Sequence, residues 1–153
     1  MGMVEVKIGD LIGQALDWAV ATVEGLPIRR DPMAFGVSSP NGGYWVWGDQ
    51  PNGVMLKIGG HPSKNNRNAG GSYSPSTDWN QLGPLLMKYP IVLGNHESGK
   101  DDGTFWGSAH CFHTGTSFDT YEGMMVAACR SIVAFKLEAA VVMVPAPLIQ
   151  AAA

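Results

Sequence analysis

Hydrophobic and polar positions alternate over residues 4–8, with Val4, Val6 and Ile8 set against Glu5 and Lys7, the period of a half-buried strand. From Asp10, a natural N-cap, the period changes to that of a helix reaching Glu24. Ile12, Leu16, Ala19, Val20 and Val23 share one stripe there, Trp18 packs at its edge, and Gly25 and Pro27 end it. Residues 26–43 read as loop with a short strand at 35–37. Two β-rich runs follow, 44–47 and 54–58, joined by a Gly/Asn/Pro turn at 48–53. This hairpin places Trp45 and Trp47 on one face and Tyr44 and Val46 on the other. Residues 59–72 hold no apolar side chain larger than Ala69 or Pro62 and predict a mobile loop whose charges are Lys64 and Arg67.

The middle of the chain carries the densest polar pattern: Tyr73-Ser74-Pro75-Ser76-Thr77-Asp78-Trp79-Asn80-Gln81-Leu82-Gly83-Pro84. Ser76 or Thr77 suits a helix N-cap, Asp78 the first turn, and Gly83-Pro84 keeps the helix from growing long. A short helix at 85–87 and a strand at 91–93 come next, then an irregular stretch over 95–115. A helix over 120–140, capped by Asp119 or Thr116, carries Met125, Ala128, Cys129, Ile132, Phe135 and Ala139 on one stripe. The order predicts an α+β fold, with a small antiparallel sheet packed against two main helices and long irregular loops. One domain spans 1–145, and 146–153 read as a flexible Pro-containing tail.

Composition narrows the function classes. Hydrophobic residues make up 45% of 153 and charged ones 15%, so the chain has a core to bury; a net charge of −3 argues against general nucleic-acid binding. Two cysteines, Cys111 and Cys129, are too few for a disulfide framework and read as free thiols. There is no signal peptide and no run long enough to span a bilayer, so a cytoplasmic protein is expected.

Four kinds of chemistry compete. His110, Cys111 and His113 with His96 and Glu97 form one loose cluster rather than paired metal-ligand clusters, so no metal is expected. Cys111, Cys129, Ser74 and Ser76 have histidines elsewhere in the chain but no nucleophile signature around them. The segment 59–64 lacks phosphate-loop spacing. A Gly-rich loop with Lys64 and Arg67 leading into a capped helix still suits an anion, and Trp45, Trp47 or Trp79 suits a stacked base. Finally, five Trp, four Tyr and eight Met suit an oligomeric or partner interface.

Residues 10–21, Asp-Leu-Ile-Gly-Gln-Ala-Leu-Asp-Trp-Ala-Val-Ala, followed by the 73–84 segment and by Ala-Ala-Cys-Arg-Ser-Ile-Val-Ala-Phe-Lys at 127–136, form a pattern that resembles the NinX-like family of phage and prophage proteins. Asp78 stands where that family usually has Asn, Leu82 replaces a Gly, and the 59–72 and 95–115 loops are longer. The resemblance implies a small phage accessory protein and not a reaction. With the residue reading, it leads to an expected non-enzymatic protein that sequesters a nucleotide-derived ligand, such as a host immune signalling molecule. The expected ligand-binding residues are Trp47, Lys64, Arg67, Tyr73, Ser74, Ser76, Thr77, Asp78, Trp79, Asn80, Gln81 and Arg130. No cofactor, no metal and a homo-oligomer are expected. The rivals are an adaptor using the aromatic hairpin on a host protein, and a hydrolase of nucleotide derivatives.

Overall fold

The computed structural model describes residues 2–30, 42–47, 55–59, 62, 69–99 and 103–152. The first alternating segment forms β1 (Met3–Lys7), and its antiparallel partner is β9 (Val141–Pro145), with Val4 opposite Val144 and Val6 opposite Val142. A 3-10 turn at Ile8–Asp10 precedes α1 (Gly13–Val23). The helix therefore starts later than Asp10 suggests. Ile8 and Leu11 are fully buried, so the core draws in this turn, and Asp10 ends up inside it rather than capping α1. Gly25, with φ +73°, lies just past α1, where the sequence placed the stop.

A four-stranded sheet runs in the order β2 (Ile28–Arg30), β3 (Tyr44–Val46), β4 (Met55–Ile58), β5 (Ala69–Tyr73). β3 and β4 pair antiparallel, as the hairpin pattern predicts, while β4 and β5 pair parallel. The strand expected at 35–37 and the turn at 48–53 lie outside the described residues. β5 takes the end of the expected loop; its sequence, Ala-Gly-Gly-Ser-Tyr, lacks the apolar alternation that would signal a strand. α2 (Trp79–Leu86) follows.

The stretch expected to be irregular after residue 95 is mostly a three-stranded antiparallel meander of β6 (Ile91–Glu97), β7 (Phe105–Cys111) and β8 (Thr116–Thr120). The inward positions of β7 are Gly107, Ala109 and Cys111, all buried and too small to register as a strand pattern. Their size has a purpose. A Cβ on Gly107 would sit 2.1 Å from the Met124 backbone nitrogen, so only glycine lets this sheet approach the helix above it. That helix is α3 (Met124–Leu137), preceded by Gly123 at φ +105°. β8 occupies the residues expected to cap α3 and form its first turn, which shortens the helix at its N-terminal end.

Every residue of α3 from Val126 to Ala134 is buried. A helix buried on all sides is a central element, and α3 packs on the β6–β7–β8 sheet, on α1 and on α2. The main cluster joins Leu16 and Val20 of α1 to Cys129, Ile132 and Val133 of α3, with Leu82, Val144 and Leu148. A smaller cluster of Ala21, Val46, Ile58 and Tyr73 fills the space between α1 and the four-stranded sheet, and Trp18 packs against both clusters. The residues expected to form a tail include α4 (Ala146–Ala152), with Leu148 buried and the Gln14 amide donating to the Leu148 carbonyl at 3.1 Å. The class is α+β with several small sheets around the helices, not one sheet.

Candidate functional site

The polar segment after β5 is a tightly hydrogen-bonded knot. Asp78 is the N-cap of α2: its carboxylate accepts the Asn80 N–H at 2.9 Å, and its own N–H donates to the Ser74 carbonyl at 2.9 Å. This corrects the expected cap. Ser76 is instead turned inward, and its N–H donates to the Asp17 carboxylate of α1 at 2.9 Å; Thr77 is exposed. The Ser76 hydroxyl faces the same carboxylate and favours its ionised form, but falls short of a well-formed hydrogen bond. Asp17 is 4% exposed, and burial lifts its carboxyl to about 6 against the pull of those Ser76 groups.

Gln81 performs the second fastening. Its side chain accepts the Ser74 N–H at 2.6 Å and donates to the Ser72 carbonyl at 2.7 Å. The C=O of one strand residue and the N–H of the next but one point the same way, so the Gln81 amide pairs with the edge of β5 as a neighbouring strand would. Pro84 lies inside α2, which ends at Leu86.

Several expected ligand residues are thus committed to the scaffold. Tyr73, Ser76 and Arg130 are buried. Burial pushes the Tyr73 phenol well above its usual range. Arg130 Nε donates to the Leu11 carbonyl at 2.8 Å and its guanidinium pairs with Glu122 at 3.3 Å, pinning the entry of α1 to α3. Ser74 and Gln81 bond each other. Of the knot, Thr77, Trp79 and Asn80 are exposed, Trp79 to 47%. Lys64 and Arg67 lie outside the described residues.

Trp47 has different company from the knot. The Arg29 guanidinium lies 5.1 Å from its ring centroid, a cation–π contact. Pairing across the four-stranded sheet sets Arg29 opposite Trp45, Trp45 opposite Lys57, and Lys57 opposite Ser72. These four share the face turned away from α1, since Ile58, Val46 and Tyr73 face it. Arg29 is exposed and Ser72 half-buried, while Trp45 and Lys57 are buried between them. Burial pushes the Lys57 ammonium down, and it donates to the Gly59 carbonyl at 2.6 Å. Nothing in the sequence singles out Arg29 and Lys57, because each falls in a short strand whose pairing the chain order does not reveal.

The other candidates separate. Strand alternation points His110 away from α3 and Cys111 towards it, and among the described residues no group of three His, Cys, Asp or Glu converges. Both cysteines are free and buried, and burial holds the Cys129 thiol far above its usual range, so it stays protonated at neutral pH. Among the described residues no helix is long and apolar enough to cross a membrane.

The knot, the Asp17 helix and Arg130 all fall within residues 7–136, the span matched by the family model for Bacteriophage P22, NinX. No curated protein matches the chain. The structural coupling of the three sequence motifs and the extent of that match agree: the chain belongs to the bacteriophage P22 NinX family.

Proposed function

We propose that this phage protein is a non-enzymatic binder that sequesters a nucleotide-derived ligand in the cytoplasm of the infected bacterium, as a homo-oligomer, and that the ligand is a signalling molecule of host immunity. The observation that carries the reading is the cross-strand row Arg29–Trp45–Lys57–Ser72 with Trp47 under Arg29. The half-buried Trp47 indole suits a base, the exposed Arg29 suits a phosphate with Lys57 adding positive charge beneath it, and the Ser72 hydroxyl suits a ribose. A buried cation such as Lys57 acts through a low dielectric and so attracts an anion strongly at short range. Asp78 places a carboxylate at the N-terminus of α2, which disfavours a phosphate there and leaves it to Arg29 and Lys57.

A nucleotide panel in a thermal-shift assay tests this. One nucleotide should raise the melting temperature. Arg29→Ala, at an exposed position, should leave the apo protein's melting temperature unchanged and weaken that binding by about tenfold or more, the loss expected for a charge-assisted hydrogen bond. Trp79→Ala should leave it unchanged; the reverse pattern would move the site to α2. Absence of stabilisation by any nucleotide would contradict the reading and favour a second one. In that reading the protein is an adaptor that uses the apolar surface of α2, where Trp79 is 47% and Met87, at its C-cap, 88% exposed. The hairpin is poorer for that role, because Trp45 is buried.

A further inference from the structure

The face of the β6–β7–β8 sheet turned away from α3 holds a pocket that the nucleotide reading does not use. A cavity of about 220 Å³ is lined by Trp106, Asp119, Thr120 and Tyr121. Trp106 lies on the central strand. On its β6 side the His96 ring stacks on it, centroids 4.1 Å apart and planes 21° from parallel, and on its β8 side the cavity opens. His96 is itself anchored, with Nε2 2.9 Å from the Ser108 hydroxyl. That bond passes over Gly94, where a Cβ would come 2.5 Å from His96 Nε2 and 2.7 Å from Ser108 Oγ, so glycine is required to let His96 lie against Trp106. Trp106 is thus held on one side and open on the other.

Asp119, directly opposite Ser108, brings the charge. It is exposed, and among the described residues its carboxylate has no ion pair and no hydrogen-bond partner. The nearby acidic residue Glu122 is occupied by Arg130 at 3.3 Å. Among the described residues no basic side chain lines the cavity. Tyr121 is exposed as well, so its ring is not held there by core packing. Two aromatic rings with negative faces and one carboxylate around a small cavity are complementary to an organic cation. The Thr120 hydroxyl accepts the Glu122 N–H, which fixes the turn that carries Tyr121.

We propose that this cavity is a binding site for an alkylammonium group, in which Trp106 and Tyr121 receive the cation on their ring faces and Asp119 neutralises it. The site is separate from the cross-strand row and independent of the nucleotide reading. The same chemistry could come from a small free amine or from a lysine side chain on a partner, and the choice of probes distinguishes them.

The test is isothermal titration of the full chain with choline, with Nα-acetyl-lysine amide and with 3,3-dimethylbutan-1-ol, the neutral isostere of choline. At least one cation should bind, and the isostere should not. Binding of choline alone points to a small quaternary amine, and preference for the lysine derivative points to a side chain; either supports the site. Tyr121→Ala should weaken binding by about two- to fivefold, the size of one exposed cation–π contact, and Asp119→Asn by a comparable factor. Both positions are exposed, so folding should be unaffected, with a circular dichroism melt as the control. Equal binding of cation and isostere, no binding of either cation, or undiminished binding by both variants would overturn the assignment.

Discussion

Asp17 shows how much one side chain can do. It lies on α1, is almost fully buried, and receives the backbone N–H of Ser76, so it ties the first helix to the turn before α2. Burial raises its carboxyl from 3.8 to about 6. The folded state therefore holds the proton more tightly than the unfolded chain. Its contribution to stability is complete below about pH 4 and is lost as pH rises through 6. A shift of this size corresponds to about 3 kcal/mol. Asp17→Asn keeps an oxygen for the Ser76 N–H but does not titrate. Urea unfolding of both proteins between pH 4 and pH 7 should show the variant gaining on the wild type by up to that amount as pH rises. Parallel curves would refute a titrating Asp17. The residue's identity could be read in the sequence as part of a family motif, but not its partner. Ser76 is distant along the chain, and nothing local to either residue signals a buried carboxylate–amide bond.

At the scale of elements, α1, the β3–β4 hairpin and α3 announce themselves by periodicity, because each buries several large apolar side chains at regular steps. β5 and β7 do not. β5 is built of small residues and held by the Gln81 amide rather than by side-chain packing alone, and β7 presents glycine, alanine and cysteine to α3. Strand signals rest on large alternating side chains, and close packing of a helix on a sheet removes them. The Asp78 cap was misplaced by one or two residues for a related reason: Ser76 and Thr77 are equally good caps locally, and only the distant Asp17 decides among them. If Gln81 serves as the partner of the β5 edge, Gln81→Leu leaves the Ser74 N–H and the Ser72 carbonyl unpaired. Stability should fall by about 1–3 kcal/mol in urea unfolding, and the Ser74 amide should lose its hydrogen-exchange protection. Unchanged exchange at Ser74 would contradict that role.

For the whole molecule, most of the polar knot works as scaffold. Asp17, Ser76, Gln81 and Arg130 hold α1, β5, α2 and α3 to one another, and the row proposed to bind ligand lies apart from them, on the face of the four-stranded sheet turned away from α1. The aromatic part of that row, Trp45 and Trp47, is legible in the sequence, but not Arg29 and Lys57, whose proximity depends on strand pairing across long intervening segments. Native mass spectrometry of the protein purified from its bacterial host is the decisive measurement for sequestration. Sequestration predicts a chain, or an oligomer of it, carrying an added mass that denaturation releases as an intact nucleotide derivative and that Arg29→Ala no longer retains. Recovery of the bare chain mass alone, unchanged after incubation with a nucleotide panel, would contradict it.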